Sequence, residues 1–175
     1  SWATIVAGRR KAWPVIKRDS LTSLGRWGDA PGRFILPRDV CLLPDGAVCV
    51  ADVVNRRLQV FPKEQGAPRV IGKEGKGAGQ FHVPQGVACD GTALFVADTG
   101  NHRVQKFTPE GEFVAEFGSQ GTEAGQLNYP SDVSIDPDGD LYVCDWGNNR
   151  VQIFAPDGKF LATLVGDAQN LGCPV

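Results

Sequence analysis

One block of sequence occurs three times in succession, and this constrains the fold more than any other feature of the chain. Gly-Arg-Phe at 32–34 through Val70-Ile71-Gly72 returns as Gly-Gln-Phe at 79–81 through Glu116-Phe117-Gly118. It returns again as Gly-Gln-Leu at 125–127 through Leu164-Val165-Gly166. The anchoring prolines Pro37, Pro84 and Pro130 are 47 and 46 residues apart. A fixed period of this size marks a repeat architecture, in which units stack on their neighbours and function gathers on one face built from equivalent loops.

Each copy divides into four short β-like runs. The first runs are Arg38–Leu43, Gln85–Cys89 and Ser131–Ile135, each closed by an Asp-Gly turn. Asp-Gly between two apolar alternations is a strong hairpin signal. Second runs follow at Ala47–Ala51, Ala93–Ala97 and Asp140–Cys144, and third runs at Arg57–Phe61, Arg103–Phe107 and Arg150–Phe154. The fourth are Arg69–Ile71, Phe113–Phe117 and Phe160–Val165. No long segment has helical periodicity, so the reading is all-β, with each repeat one four-stranded propeller blade. The linkers share a glycine pattern (Gly25/Gly28/Gly32, Gly72/Gly75/Gly79, Gly118/Gly121/Gly125), which predicts the same positive-φ turns each time. Phe34, Phe81 and Leu127 at the linker ends are expected to plug the space between blades.

The expected layout is a single propeller region over 1–175. Residues 1–31 form a degenerate partial blade with its linker, with strands at Trp2–Ala7, Ala12–Ile16 and Ser20–Leu24. Full repeats occupy 32–78, 79–124 and 125–170, and 171–175 begins another blade, with Leu171 and Pro174 where Leu127 and Pro130 stand. The chain starts at Ser1 and has no methionine, which reads as a processed, trimmed or partial chain.

Composition narrows the function. An apolar share of 42% supports a buried core, and a net charge of −2 gives no general affinity for nucleic acid. No apolar run approaches the roughly 20 residues of a membrane span. Five cysteines, none in a C-x-x-C pair, argue against a disulfide framework or a structural zinc site. They point to a cytoplasmic or other reducing intracellular compartment. Cys41 and Cys49, symmetric about Pro44-Asp45-Gly46, are the one pair placed within disulfide reach under oxidising conditions.

The repeated signature reads Val50-Ala51-Asp52, Asn55, Arg57, Gln59, Phe61 in the first copy. It continues as Val96-Ala97-Asp98, Asn101, Arg103, Gln105, Phe107, and as Val143-Cys144-Asp145, Asn148, Arg150, Gln152, Phe154. This resembles the NHL repeat family of β-propellers over residues 25–166, and only weakly over 1–24. The resemblance implies a propeller of typically six blades, of which this chain is expected to be a part. A small four-bladed ring completed by the C-terminal strand, or an arc capped by partners or by self-assembly, are the alternatives.

Recurrence separates structure from function. Asp52/Arg57, Asp98/Arg103 and Asp145/Arg150 stand at one spacing in every copy, so they read as structural ion pairs rather than an asymmetric catalytic site. Asn55, Asn101 and Asn148 read as turn residues by the same logic. His82 and His102 do not form a metal cluster, the glycine-rich linkers lack the helix a phosphate cradle requires, and Asp136–Asp140 lacks the later Glu of a calcium loop. No catalytic residue, metal or cofactor is assigned.

Charge placement carries the functional expectation. Linkers and the loops between second and third strands open on one face, here called the top. Its first half collects Arg9, Arg10, Lys11, Arg26, Arg33, Arg38, Arg56, Arg57, Lys73 and Lys76 against only Asp29, Asp39, Asp52 and Glu74, while the turns on the opposite face carry Asp45, Asp90, Asp136, Asp138 and Asp140 with no base. Trp27 and Trp146 fall in top loops. The leading expectation is a non-enzymatic binding or scaffold module that engages a protein partner through Arg26, Trp27, Arg33, Arg56, Lys73, Lys76, His102 and Trp146. The resemblance also implies two alternatives: single-stranded RNA on the same basic face, and a metal-dependent lyase or hydrolase of propeller type.

Overall fold

A computed structural model of the chain describes residues 25–64 and 66–164. The strands expected within 1–24, the cluster Arg9–Lys11, Val165, Cys173 and the re-entry at Leu171 and Pro174 lie outside the described residues.

Three four-stranded antiparallel sheets follow one another along the chain. A short ribbon, β1 (Arg26–Trp27) and β2 (Arg33–Phe34), leads into blade 1, which comprises β3 (Pro37–Leu42), β4 (Val48–Asp52), β5 (Arg57–Phe61) and β6 (Arg69–Ile71). A second ribbon, β7 (Lys73–Glu74) and β8 (Gln80–Phe81), leads into blade 2: β9 (Pro84–Cys89), β10 (Leu94–Asp98), β11 (Arg103–Phe107) and β12 (Phe113–Phe117). Blade 3 is β13 (Pro130–Ile135), β14 (Leu141–Asp145), β15 (Arg150–Phe154) and β16 (Phe160–Leu164). Within each blade the sheet order follows the chain. The second strands lie one residue later than their apolar runs predict, because Asp52, Asp98 and Asp145 still pair with Arg57, Arg103 and Arg150 across the sheet.

Turn chemistry explains the hairpins. At the blade 1 turn, Leu43 N donates to Ala47 O at 2.9 Å, Gly46 N donates to Leu43 O at 2.9 Å, and Asp45 accepts from Ala47 N at 2.9 Å. Asp136 repeats this in blade 3, accepting from Asp138 N and Asp140 N. Asp45, Asp90 and Asp136 of this face are therefore turn builders.

The blades bury two apolar layers between them. One joins Cys49, Ala51, Leu58 and Ile71 of blade 1 to Phe81, Val87, Leu94 and Phe107 of blade 2. The other joins Phe95 and Val104 of blade 2 to Leu127, Val133, Leu141 and Phe154 of blade 3. Phe81 and Leu127 have no solvent exposure, whereas Phe34 is only partly buried, against Phe61 at 5.4 Å between ring centroids. The first glycine of each linker makes room for the plug. Gly72 has φ 80°, and a Cβ there would run into the Phe81 ring, as one at Gly118 would meet Leu127. The expected glycine geometry holds at every linker glycine except Gly121, which is not at positive φ. Near the axis, Gly86 in β9 permits a close approach of β13, since a Cβ there would sit 2.7 Å from the Asp132 Cα. Asp39 crosses from blade 1 to accept Val87 N at 2.8 Å.

Cys41 and Cys49 are directly opposed between β3 and β4, and both are free thiols, as are Cys89 and Cys144. A hydrogen bond with Cys49, together with burial, pushes the Cys41 thiol far up. Among the described residues, no helix is long and apolar enough to cross a membrane.

Because Phe81 belongs to both blades it separates, truncation to Ala is expected to cost about 3–5 kcal/mol by loss of burial and creation of a cavity. Urea unfolding of Phe81→Ala checks this, and a loss below about 1 kcal/mol contradicts the plug role.

Candidate binding face

The top face is assembled by a polar network that recurs in each blade. In blade 2 the Asp98 carboxylate is fully buried at the end of β10. Its Oδ1 accepts His82 N at 2.9 Å, and its Oδ2 accepts Asn101 Nδ2 at 2.8 Å, Arg103 Nε at 3.2 Å and Gln105 Nε2 at 3.3 Å. Those donors also reach the preceding linker. Asn101 donates to Gly75 O, Arg103 Nη2 to Gly77 O and Gln80 O, and Gln105 to Gln80 O, while Gln105 Oε1 accepts Gly79 N at 2.9 Å. Asp52 organises the same contacts with Asn55, Arg57 and Gln59, and Asp145 with Asn148, Arg150 and Gln152. Among the described residues, no buried side-chain nitrogen or oxygen lacks a partner. The Asn and Gln are thus members of the network, a role their polar character alone does not reveal because their other partners are backbone atoms some 26 residues earlier.

This network fixes the linkers and the loops between second and third strands side by side. Between them lies a cleft of about 640 Å³ lined by Arg38, His82, Gln85, Tyr129, Ser131 and Trp146, with Val83, Thr99 and Gly100 beneath. Arg38, Gln85 and Ser131 each follow the anchoring proline of their blade, so three successive blades contribute the same position. Arg38 Nη2 donates to Gln85 Oε1 at 3.4 Å. Thr99 Oγ1 donates to Pro130 O at 2.6 Å and ties blade 2 to the first strand of blade 3. Trp146 opens a single 3₁₀ turn, Trp146–Asn148, held by Asn148 and by Gly147 N donating to Asn128 O at 2.7 Å. Trp146 is 69% exposed.

The expected binding residues divide into separate groups. Trp146 lines the cleft; Arg26, Trp27, Arg33, Arg56, Lys73 and Lys76 do not. Trp27, 80% exposed, stands beside Arg26 on β1, with Arg33 opposite Arg26 on β2. Arg56 is ion-paired with Glu74. Lys73 and Lys76 are exposed on the linker between blades 1 and 2. His102 is buried; its Nδ1 accepts Tyr129 N at 3.1 Å, and its ring packs 4.3 Å from the Tyr129 ring. Tyr129 itself is at φ 51°, in the left-handed region. The Asp–Arg pairs lie at 2.9, 3.2 and 2.7 Å, beneath the linkers. Arg38 and Tyr129 complete the cleft. The variation of the post-proline position among blades is the sequence signal for the first, and nothing local marks the second.

The opposite face has a shallower hollow bordered by Asp90, Asp136 and Asp138. Partial burial raises the Asp90 carboxyl, but donation from Thr92 and Ala93 overcomes this and holds it below its ordinary value. Among the described residues, no three His, Cys, Asp or Glu side chains are placed to hold a metal ion.

His102 accepts a hydrogen bond at Nδ1 only when neutral, and burial lowers its pKa below the ordinary 6.5. The unfolded chain takes up this proton more readily than the folded one, so stability falls as pH drops below about 6.5 and is regained above it. An NMR titration is expected to give His102 a midpoint below 6.5, with the Tyr129 amide following the same curve. A midpoint above that value would contradict the contact.

The NHL repeat pattern matches residues 34–61, 81–107 and 127–154, once in each blade. The chain is 39% identical over 64 residues to RING finger protein nhl-1 of Caenorhabditis elegans, a stretch covering 37% of this chain and 7% of that protein. Among solved structures, it resembles a catalytically inactive virginiamycin B lyase from Staphylococcus aureus with quinupristin (TM-score 0.60, 14% identity, 75% of this chain and 42% of that one). It also resembles a gluconolactonase from Xanthomonas campestris (TM-score 0.58, 20% identity, 79% and 49%) and a chain of a nidogen/laminin complex (TM-score 0.57, 21% identity, 79% and 50%). These identities speak to fold alone, and the chain spans no more than half the length of the proteins it matches. With the signature, the three sheets and the network in agreement, this chain is an NHL-repeat protein of propeller-like, all-β build.

Proposed function

We propose that this chain is a non-enzymatic binding module that takes a protein partner in the top-face cleft between blades 1, 2 and 3. The observation that supports this reading best is Trp146, exposed on a turn whose backbone is already pinned, with Tyr129 and Arg38 on the same cleft. Trp, Tyr and Arg are the side chains that most often anchor protein interfaces, and a rigid turn limits the entropy lost on binding. The lining contains no carboxylate, so the cleft favours a partner segment that offers an acidic group beside an apolar one. Arg26, Trp27 and Arg33 form a separate exposed patch that would extend the contact.

A second reading, a propeller lyase or hydrolase, draws on the fold shared with virginiamycin B lyase and gluconolactonase. It requires stoichiometric zinc or calcium in protein purified without metal affinity, which elemental analysis decides.

Peptides selected from a random display library against the intact chain provide the test. Trp146→Ala is expected to weaken them about 30-fold, equivalent to about 2 kcal/mol, with shallow salt dependence. A 12-residue oligouridylate is the comparison probe. If it binds with a log-affinity slope of about −0.7 per phosphate contacted while selection yields no cleft-dependent peptide, RNA replaces protein as the ligand.

A further inference from the structure

One contact at the junction of blades 2 and 3 joins two positions that vary between the repeats. The residue closing each loop after the second strand is Arg56, His102 or Asn149, at φ 53°, 56° and 52°. The loop asks this position for a left-handed backbone, and a ring nitrogen is not part of that demand. His102 nevertheless spends its ring on Tyr129. Its Nδ1 accepts Tyr129 N at 3.1 Å, and the two rings pack 4.3 Å apart. At the equivalent place in the preceding linker, Val83 N donates instead to the repeat carboxylate of Asp98 at 3.4 Å. Tyr129 has a left-handed φ of 51°, and Pro130 restricts its backbone further. Its flanks are fixed by other groups: Asn128 N donates to Asp145 Oδ1 at 2.6 Å, and Pro130 O accepts Thr99 Oγ1 at 2.6 Å. The Tyr129 amide itself is held by the imidazole. Tyr129 is 44% exposed and lines the cleft.

We propose that His102 is a positioning residue of the cleft: its neutral ring holds Tyr129 in the conformation that meets the partner, and its protonation releases Tyr129 and lowers affinity. This rests on the reading of the cleft as a protein-binding site. An imidazole accepts at Nδ1 only while that nitrogen is bare. The imidazolium carries a proton on both nitrogens, so Nδ1–H would face the Tyr129 N–H, donor against donor. The loop keeps its own closure, His102 N to Thr99 O at 3.2 Å, which needs no ring. Around the imidazole, the Tyr129 phenol ring packs on it, Arg103 turns to Asp98 and Glu116, and His82 lies against Gly100 in the same cleft. Burial lowers the His102 pKa below 6.5. The cleft is therefore expected to bind above that midpoint and to lose affinity below it.

Histidine-free peptides selected against the intact chain near neutral pH, and weakened by Trp146→Ala, are the probes. Their affinity is read by fluorescence anisotropy between about pH 5 and 8. It is expected to fall about tenfold for each pH unit below the His102 midpoint, since only the neutral fraction binds. Circular dichroism at each pH confines the comparison to folded protein. The other two blades supply residues that this loop position already tolerates. His102→Asn keeps an acceptor and loses the titration, so binding is expected to persist without the pH dependence. His102→Arg carries donors only, so binding is expected to be weak at every pH. Affinity that ignores the His102 midpoint overturns the proposal, as does wild-type affinity in His102→Arg. A pH dependence that survives in His102→Asn also overturns it and points to His82. A selection that yields no cleft-dependent peptide overturns the binding reading, and this inference with it.

Discussion

A buried carboxylate at the end of each second strand is the constraint on which the rest depends. Asp52, Asp98 and Asp145 have no solvent exposure, and an unpaired charge so placed would cost several kcal/mol. Each is surrounded by donors from an Asn, an Arg, a Gln and the backbone of the preceding linker. The same Arg and Gln donate to linker carbonyls, so satisfying the charge also fixes the path of a segment without regular structure beyond a two-residue ribbon. The plug residues can then be delivered between blades at a defined depth.

The division of labour between repeated and variable positions follows from this. Residues identical in all three copies hold the scaffold and are largely spent on each other. The cleft is formed where the copies differ: Arg38, Gln85 and Ser131 after the anchoring prolines, and Thr99 and Trp146 after the buried carboxylates. Loops displayed by a rigid repeat scaffold are where such proteins carry recognition. The opposite face is acidic for a different reason, since the Asp45, Asp90 and Asp136 carboxylates turn the hairpins.

The blades were legible because their signals are local. Period-2 alternation, Asp-Gly turns and the spacing of Asp to Arg each act within a dozen residues, and the third strands Arg57–Phe61, Arg103–Phe107 and Arg150–Phe154 coincide with their apolar runs. The face was less legible because its contacts are long-range. Charge counting groups Arg56 with the free cations, yet Glu74 from the next linker pairs with it. His102 reads as a surface ligand, yet its ring is spent on the backbone and ring of Tyr129, 27 residues away. Trp27 and Trp146 look alike in sequence, but only the second lies where three blades converge.

The central claim is that the linkers are held by the buried carboxylates rather than by their own turns. Native-state hydrogen exchange at the amides of Ile35, His82 and Asn128, each donating to a carboxylate Oδ1 at 2.9, 2.9 and 2.6 Å, tests it most directly. These amides sit in irregular segments, so protection approaching that of the central strands is expected only if the network holds in solution. Exchange as fast as at the exposed hairpin turns would contradict it.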